Sequence, residues 1–184
     1  MHSPLAELVH GWHDFYVLVG TASATLVGLM FVTASIGAQV FTERSREALR
    51  AFISPTVVHF SAILFICILA AIPSHTWSTL GALLLVAGAA GIAYSARIWV
   101  QLFVRRSFAV DMVDRMFYAA IPVLGYLLVL VSGCLLLMQS ALSVDVLAAA
   151  LITLLVAGIR NGWDMTIWIV IRTPVPDSAK DATP

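Results

Sequence analysis

The fold class is decided by stretches such as residues 116–138, which read MFYAAIPVLGYLLVLVSGCLLLM and contain no charged side chain. A helix of about 20 apolar residues crosses a hydrocarbon core of about 30 Å. The whole chain shares this character, because 61% of its 184 residues are hydrophobic and only 11% are charged. A soluble domain is about half apolar and about a quarter charged. The composition therefore predicts a membrane protein and excludes a soluble enzyme, a disulfide scaffold and a nucleic-acid-binding module.

Five apolar stretches are long enough for helical spans, and none alternates in the manner of a barrel strand. The sequence therefore predicts an all-α polytopic membrane protein, a five-helix transmembrane bundle that forms a single domain over residues 1–172. Pro55 is expected in the first turn of the second span, where its missing N–H costs little. Residues 173–184 predict a disordered cytoplasmic tail. The expected spans are approximately residues 15–41, 55–72, 77–104, 116–138 and 144–171.

The distribution of arginine and lysine predicts the orientation of the bundle. The connections after the first and third spans are rich in arginine, and the tail contains the only lysine, Lys180. The other connections and the N-terminal segment contain neither residue. We therefore expect the N-terminus outside and the C-terminus in the cytoplasm. Tryptophans at the expected outer boundary (Trp12, Trp77) and inner boundary (Trp99, Trp168) agree with this orientation.

Polar and charged residues inside the spans predict a functional site, because such residues are costly in lipid. In the last span, Arg160 and Asp164 are four residues apart and therefore share one helical face. Other spans place polar groups at a similar depth in the inner half of the bundle. If these faces converge, they form one site from Arg160, Asp164, Asn161, Arg97, His59, Gln101 and Gln39.

Each of these residues also has a purely structural interpretation. Arg97 can extend to the lipid headgroups, and His59 can be a hydrogen-bonded core residue. Arg160 with Asp164 can clamp the bundle. The serines and threonines of the first span can bond their own helix backbone. The sequence leaves these alternatives open.

A second polar group lies at the expected outer surface, before and between the first spans. Imidazole and carboxylate groups are suitable ligands for zinc or copper. The alternative is a polar cap at the membrane interface, anchored by Trp12 and Tyr16. The candidate metal ligands are Glu7, His10, Asp14 and His75.

Small residues recur along the first and third spans, and such faces allow helices to pack closely in lipid. The packing can be intramolecular or between subunits. Since a chain of five short-looped helices has a small core, we expect a homo-oligomer. The small residues are Gly20, Ala24 and Gly28 in the first span and Gly81, Gly88, Gly91 and Ser95 in the third.

Three motifs resemble those of a largely uncharacterised family of small bacterial five-span inner-membrane proteins. They are Trp12-His13-Asp14-Phe15-Tyr16, Gly28-Leu29-Met30-Phe31-Val32 and Arg160-Asn161-Gly162-Trp163-Asp164. Some members of that family are labelled modulators of a membrane AAA protease. The resemblance implies a multi-pass protein of the bacterial inner membrane and implies no catalytic role.

Two classes of function remain. The first is a homo-oligomeric membrane protein that binds or conducts a small ion or anionic molecule, as a channel or transporter does. The second is a non-transporting membrane scaffold or regulator of a membrane partner such as a protease. No catalytic motif occurs, so no enzyme activity and no cofactor are expected. The expected partners are the lipid bilayer, further copies of the chain and, in the second class, another membrane protein; no nucleic acid is expected.

Overall fold

The computed structural model describes residues 4–40, 43–104 and 120–172, with side chains at 5, 7–35, 55–100 and 120–167. The expected tail and the first residues of the fourth span, 116–119, lie outside this description. The described residues form helices and turns with no strand, which confirms the all-α class. The helices are α1 (Pro4–Gly11), α2 (His13–Val40), α3 (Glu43–Ala71), α4 (Trp77–Val104), α5 (Ile121–Leu137) and α6 (Leu142–Arg172).

Three of these helices are long and apolar enough to cross a membrane. The qualifying segments are His13–Ser35 in α2, Trp77–Val100 in α4 and Leu142–Ile167 in α6. Two shorter apolar segments, Pro55–Ala71 and Ile121–Leu137, lie within the expected second and fourth spans. The apolar runs of the sequence therefore do form helices.

Two helix boundaries differ from the prediction. α3 begins at Glu43, and Pro55 lies inside the helix instead of in its first turn. A proline in a helix removes one backbone hydrogen bond, which packing against neighbouring helices can offset. The N-terminal segment forms the additional helix α1, which the apolar pattern did not reveal because the helix is short. Leu5 and Val9 of α1 are buried in the core.

Four helices form a ring in which α3 packs against α4 and α6, and α5 packs against the same two helices. α2 packs along α3 outside this ring and also contacts α6. Helices α3 and α6 are antiparallel: a Cβ on Gly158 would contact Phe60, whereas a Cβ on Gly162 would contact Thr56. At the turn between α5 and α6, Ser132 Oγ donates a hydrogen bond to the Ser143 carbonyl at 2.8 Å.

Glycines of α4 provide the close approach between α4 and α5. A Cβ on Gly81 would lie 3.0 Å from the carbonyl oxygen of Gly133, and a Cβ on Gly91 would collide with the ring of Tyr126. The small-residue face of α4 is therefore used inside the chain. On α2 the face is divided: a Cβ on Gly20 would lie 3.2 Å from Cβ of Cys67 on α3, whereas a Cβ on Gly28 would meet nothing within 4 Å.

Candidate functional site

A hydrogen-bonded histidine and tyrosine lie at the centre of the ring. His59 Nδ1 of α3 is 2.9 Å from the hydroxyl oxygen of Tyr126 on α5, and the two rings are 5.6 Å apart. Both residues are 1% exposed. The bond therefore joins α3 and α5 in the interior of the bundle.

Helix α4 holds this pair in place. The absence of a side chain at Gly91 allows the ring of Tyr126 to lie directly against α4. Near the next turn of the same helix, Tyr94 meets the imidazole of His59 edge to face, with ring centroids 6.0 Å apart. The histidine is thus fixed by one hydrogen bond and two aromatic contacts.

The hydrogen bond is compatible with two tautomers of a neutral His59. If the tyrosine hydroxyl donates to Nδ1, the imidazole hydrogen lies on Nε2; if Nδ1–H donates to the tyrosine oxygen, Nε2 is an acceptor. Nε2 is buried and has no hydrogen-bond partner among the described residues. In either case a buried polar atom without a partner costs about 1–3 kcal/mol, so this nitrogen is suited to binding a polar group of a ligand.

Further buried polar side chains lie on α3, α4 and α6, the helices that form the ring together with α5. Thr56 lies one turn before His59 on α3, and Ser95 lies one turn after Gly91 on α4. A Cβ on Gly162 would lie 3.8 Å from Cγ2 of Thr56, which places α6 beside that threonine. We refer to this group, in which every residue is buried, as the His59 cluster: Thr56, His59, Ser95, Tyr126 and Asn161.

The charged pair of α6 lies at the edge of the bundle. Arg160 Nε is 3.0 Å from Asp164 Oδ2, and the two side chains are 37% and 31% exposed. Their neighbours Asn161 and Met165 are buried, whereas Trp163 is exposed. Arg160 and Asp164 therefore lie between the buried face and the outward face of α6.

The described residues divide the predicted site into two parts. His59 and Asn161 are buried in the interior, while Arg160 and Asp164 form an ion pair at the edge. The side chain of Arg97 is exposed on α4. Gln39 and Gln101 belong to α2 and α4, and their side chains lie outside the described residues.

Three hydroxyl groups of α2 bond the backbone of their own helix. Thr25, Thr33 and Ser35 each donate to the carbonyl four residues earlier, at distances of 2.9, 3.0 and 2.8 Å. The interpretation that the first-span hydroxyls bond their own helix backbone is confirmed for these three residues, whereas the buried hydroxyl of Ser23 has no hydrogen-bond partner among the described residues.

The outer polar residues do not assemble into a metal centre. Glu7, His10 and Asp14 are exposed, and His75 is half-buried. In the part of the chain with described side chains, no three His, Cys, Asp or Glu residues are placed to hold a metal ion. Tyr16 is 1% exposed and is therefore a core residue, not an anchor at a membrane interface.

Four residues of this region were not predicted as site residues: Thr56, Tyr94, Ser95 and Tyr126, of which Ser95 was expected only in a small-residue packing face. The available signal was a tyrosine within an uncharged apolar run, because a buried tyrosine hydroxyl usually finds a hydrogen-bond partner. The identity of that partner depends on how α3 and α5 pack.

Comparisons with family models, with curated proteins and with solved structures found no match to this chain. The function of the chain is therefore inferred from the positions and chemistry of its side chains.

Proposed function

We propose that this chain is a five-span protein of the bacterial inner membrane that binds a small anion or anionic molecule at the His59 cluster and conducts it. The N-terminus lies outside and the C-terminus lies in the cytoplasm. Three long apolar helices, two shorter apolar segments and the antiparallel packing of α3 and α6 support the span count. The arginine-rich connections support the orientation, and the family resemblance supports the choice of membrane.

The observation that carries the proposal is Nε2 of His59, a nitrogen in the interior of the bundle with no hydrogen-bond partner among the described residues. The proposal takes the tautomer in which Tyr126 donates to Nδ1 and Nε2 carries the hydrogen. Buried donors in native proteins nearly always have a partner, so an exception calls for an explanation such as a ligand. An anion is the acceptor that would gain most from a donor in a medium of low dielectric.

The surrounding residues favour an anion over a cation. The buried members of the cluster offer hydroxyl and amide groups, and none of them is a carboxylate. The expected cytoplasmic connections contribute a positive potential through their arginines, which would raise the local concentration of anions. Neutral dipoles inside and positive charge at the mouth suit a binding site that also releases its ion.

The test is anion flux through proteoliposomes loaded with chloride or nitrate. We expect wild-type protein to release the anion faster than protein-free vesicles do, and His59→Leu to reduce release to the protein-free rate. The matched control is His10→Leu, the same substitution at an exposed histidine, which should retain the wild-type rate. His59→Gln, which restores an N–H donor, should retain part of it.

Two results would refute the proposal. Wild-type flux at the protein-free rate would show that the protein does not conduct these anions. Wild-type flux that persists in folded His59→Leu would show that His59 is a core residue with no part in conduction.

One observation favours the second class of function, a non-transporting scaffold or regulator of a membrane partner. Arg160 and Asp164 are each about one-third exposed, beside the exposed Trp163, and a charged pair on an outward face suits a protein interface better than lipid. In that case wild-type protein shows no flux, and the family resemblance suggests a protease among the partners. Flux in proteoliposomes therefore separates the two classes.

A further inference from the structure

The edge of α6 has the residue spacing of a helix–helix seam. Its members recur at intervals of three and four residues, as in helices that pack side by side. All of them are exposed or half-buried in the single chain. We call this set the α6 edge: Ala149, Thr153, Val156, Arg160, Asp164 and Ile167.

The two ends of the α6 edge suit close packing in lipid. Ala149 and Thr153 are small enough for another helix to approach closely. Thr153 donates its hydroxyl to the carbonyl of Ala149 at 2.7 Å, so this small surface presents no unbonded hydroxyl. Val156 and Ile167, exposed at 53% and 40%, provide apolar contacts on either side of the charged pair.

The charged pair makes the α6 edge complementary to itself. Two copies related by a two-fold axis along the membrane normal place the same residues at the same depth. Arg160 and Asp164 are four residues, or about 6 Å, apart along the helix, so each can reach the opposite charge on a facing helix. A guanidinium carries five N–H donors and can bind more than one carboxylate. Two copies of the chain therefore supply all the opposite charges that the interface needs.

We propose that the α6 edge is the surface through which two copies of this chain associate in parallel. Arg160 of each copy pairs with Asp164 of the partner subunit in addition to its own. This arrangement places the exposed part of both charged side chains against protein instead of lipid. The interface depends on the membrane topology proposed above and not on anion binding, so a loss of association and a loss of flux are separate results.

Charge variants on two differently tagged copies test the interface. Arg160→Asp gives a chain with two acidic groups on the α6 edge, and Asp164→Arg gives a chain with two basic groups. We expect each variant alone to lose self-capture in mild detergent by about tenfold or more, because every charge contact between the two copies is then between like charges. Co-expression of the two variants should restore capture of one by the other to the wild-type level.

The rescue between the two single variants, and not the double reversal Arg160→Asp with Asp164→Arg, separates an interface from an internal clamp. Both arrangements predict that the double reversal behaves as wild type. A clamp within one helix predicts in addition that the two single variants do not rescue each other. Failure of that rescue, equal self-capture by every variant or absence of self-capture by wild type would overturn the proposal.

Cysteine cross-linking in native membranes keeps the proposal testable if the single-charge variants do not accumulate. In a Cys134→Ser background, Ile167→Cys should form an oxidant-dependent dimer. Val86→Cys, on the exposed face of α4, is the matched control and should remain monomeric. Equal cross-linking at both positions would overturn the proposal.

Discussion

Two polar pairs in this molecule have nearly the same bond length and opposite surroundings. His59 and Tyr126 are separated by 67 residues along the chain, lie 2.9 Å apart and are buried. Arg160 and Asp164 are separated by 4 residues, lie 3.0 Å apart and are about one-third exposed. The first pair exists only because three helices pack together, whereas one helix is sufficient for the second. A polar pair within one helix is therefore a poor guide to the polar interior of the bundle.

The largest effect is expected at Gly91, which keeps the first pair together. In Gly91→Ala the new methyl group collides with the Tyr126 ring. We expect the free energy of unfolding in detergent to fall by about 3 kcal/mol, at the upper end of the range for overpacking. Gly28→Ala is the matched control, since a Cβ there meets nothing within 4 Å, and it should change stability by less than about 0.5 kcal/mol. Equal effects at both positions would mean that α4 does not press against Tyr126.

A smaller loss is expected when the hydrogen bond is removed and the ring is kept. Tyr126→Phe leaves both nitrogens of His59 buried without the tyrosine hydroxyl, so the free energy of unfolding should fall by about 1–2 kcal/mol. Tyr94→Phe retains the ring contact with His59 and should be close to wild type. If denaturation curves of the two variants coincide, the His59–Tyr126 bond contributes nothing to stability.

The smallest effect is expected when the second pair is reversed. Arg160→Asp with Asp164→Arg preserves an ion pair at the same spacing and places the acid toward the helix N-terminus, which is the favoured order. The free energy of unfolding should remain within about 0.5 kcal/mol of wild type. If the free energy of unfolding falls as much as in Tyr126→Phe, residues of other helices fix the order of the two charges. The Arg160–Asp164 pair would then depend on tertiary packing, as the His59–Tyr126 pair does.

Much of the helical layout could be predicted from the sequence. α4 has the bounds expected for the third span, and α6 lies within two residues of those expected for the fifth. The start of α3 was not predicted, because a proline favours the first turn of a helix, whereas this helix continues through Pro55. Local rules state where a proline is least costly, but the packing around it decides what is tolerated.

The candidate site was predicted only in part. Ion-pair spacing identified Arg160 and Asp164, and their bond is present in the structure. The expectation that Arg97 belongs to the same site was based only on its expected depth in the membrane. Depth does not specify which direction a side chain faces around a helix, and the side chain of Arg97 is exposed.

The helical class, the apolar segments and the local ion pair follow from the amino-acid order alone, because each depends on residues within one helix. Tertiary packing was needed to bring His59 to Tyr126, to admit the tyrosine ring at Gly91 and to leave Nε2 without a described partner. These contacts join residues far apart in the chain. They depend on how each helix is rotated about its axis, which the shape and volume of the facing side chains determine and apolar composition does not.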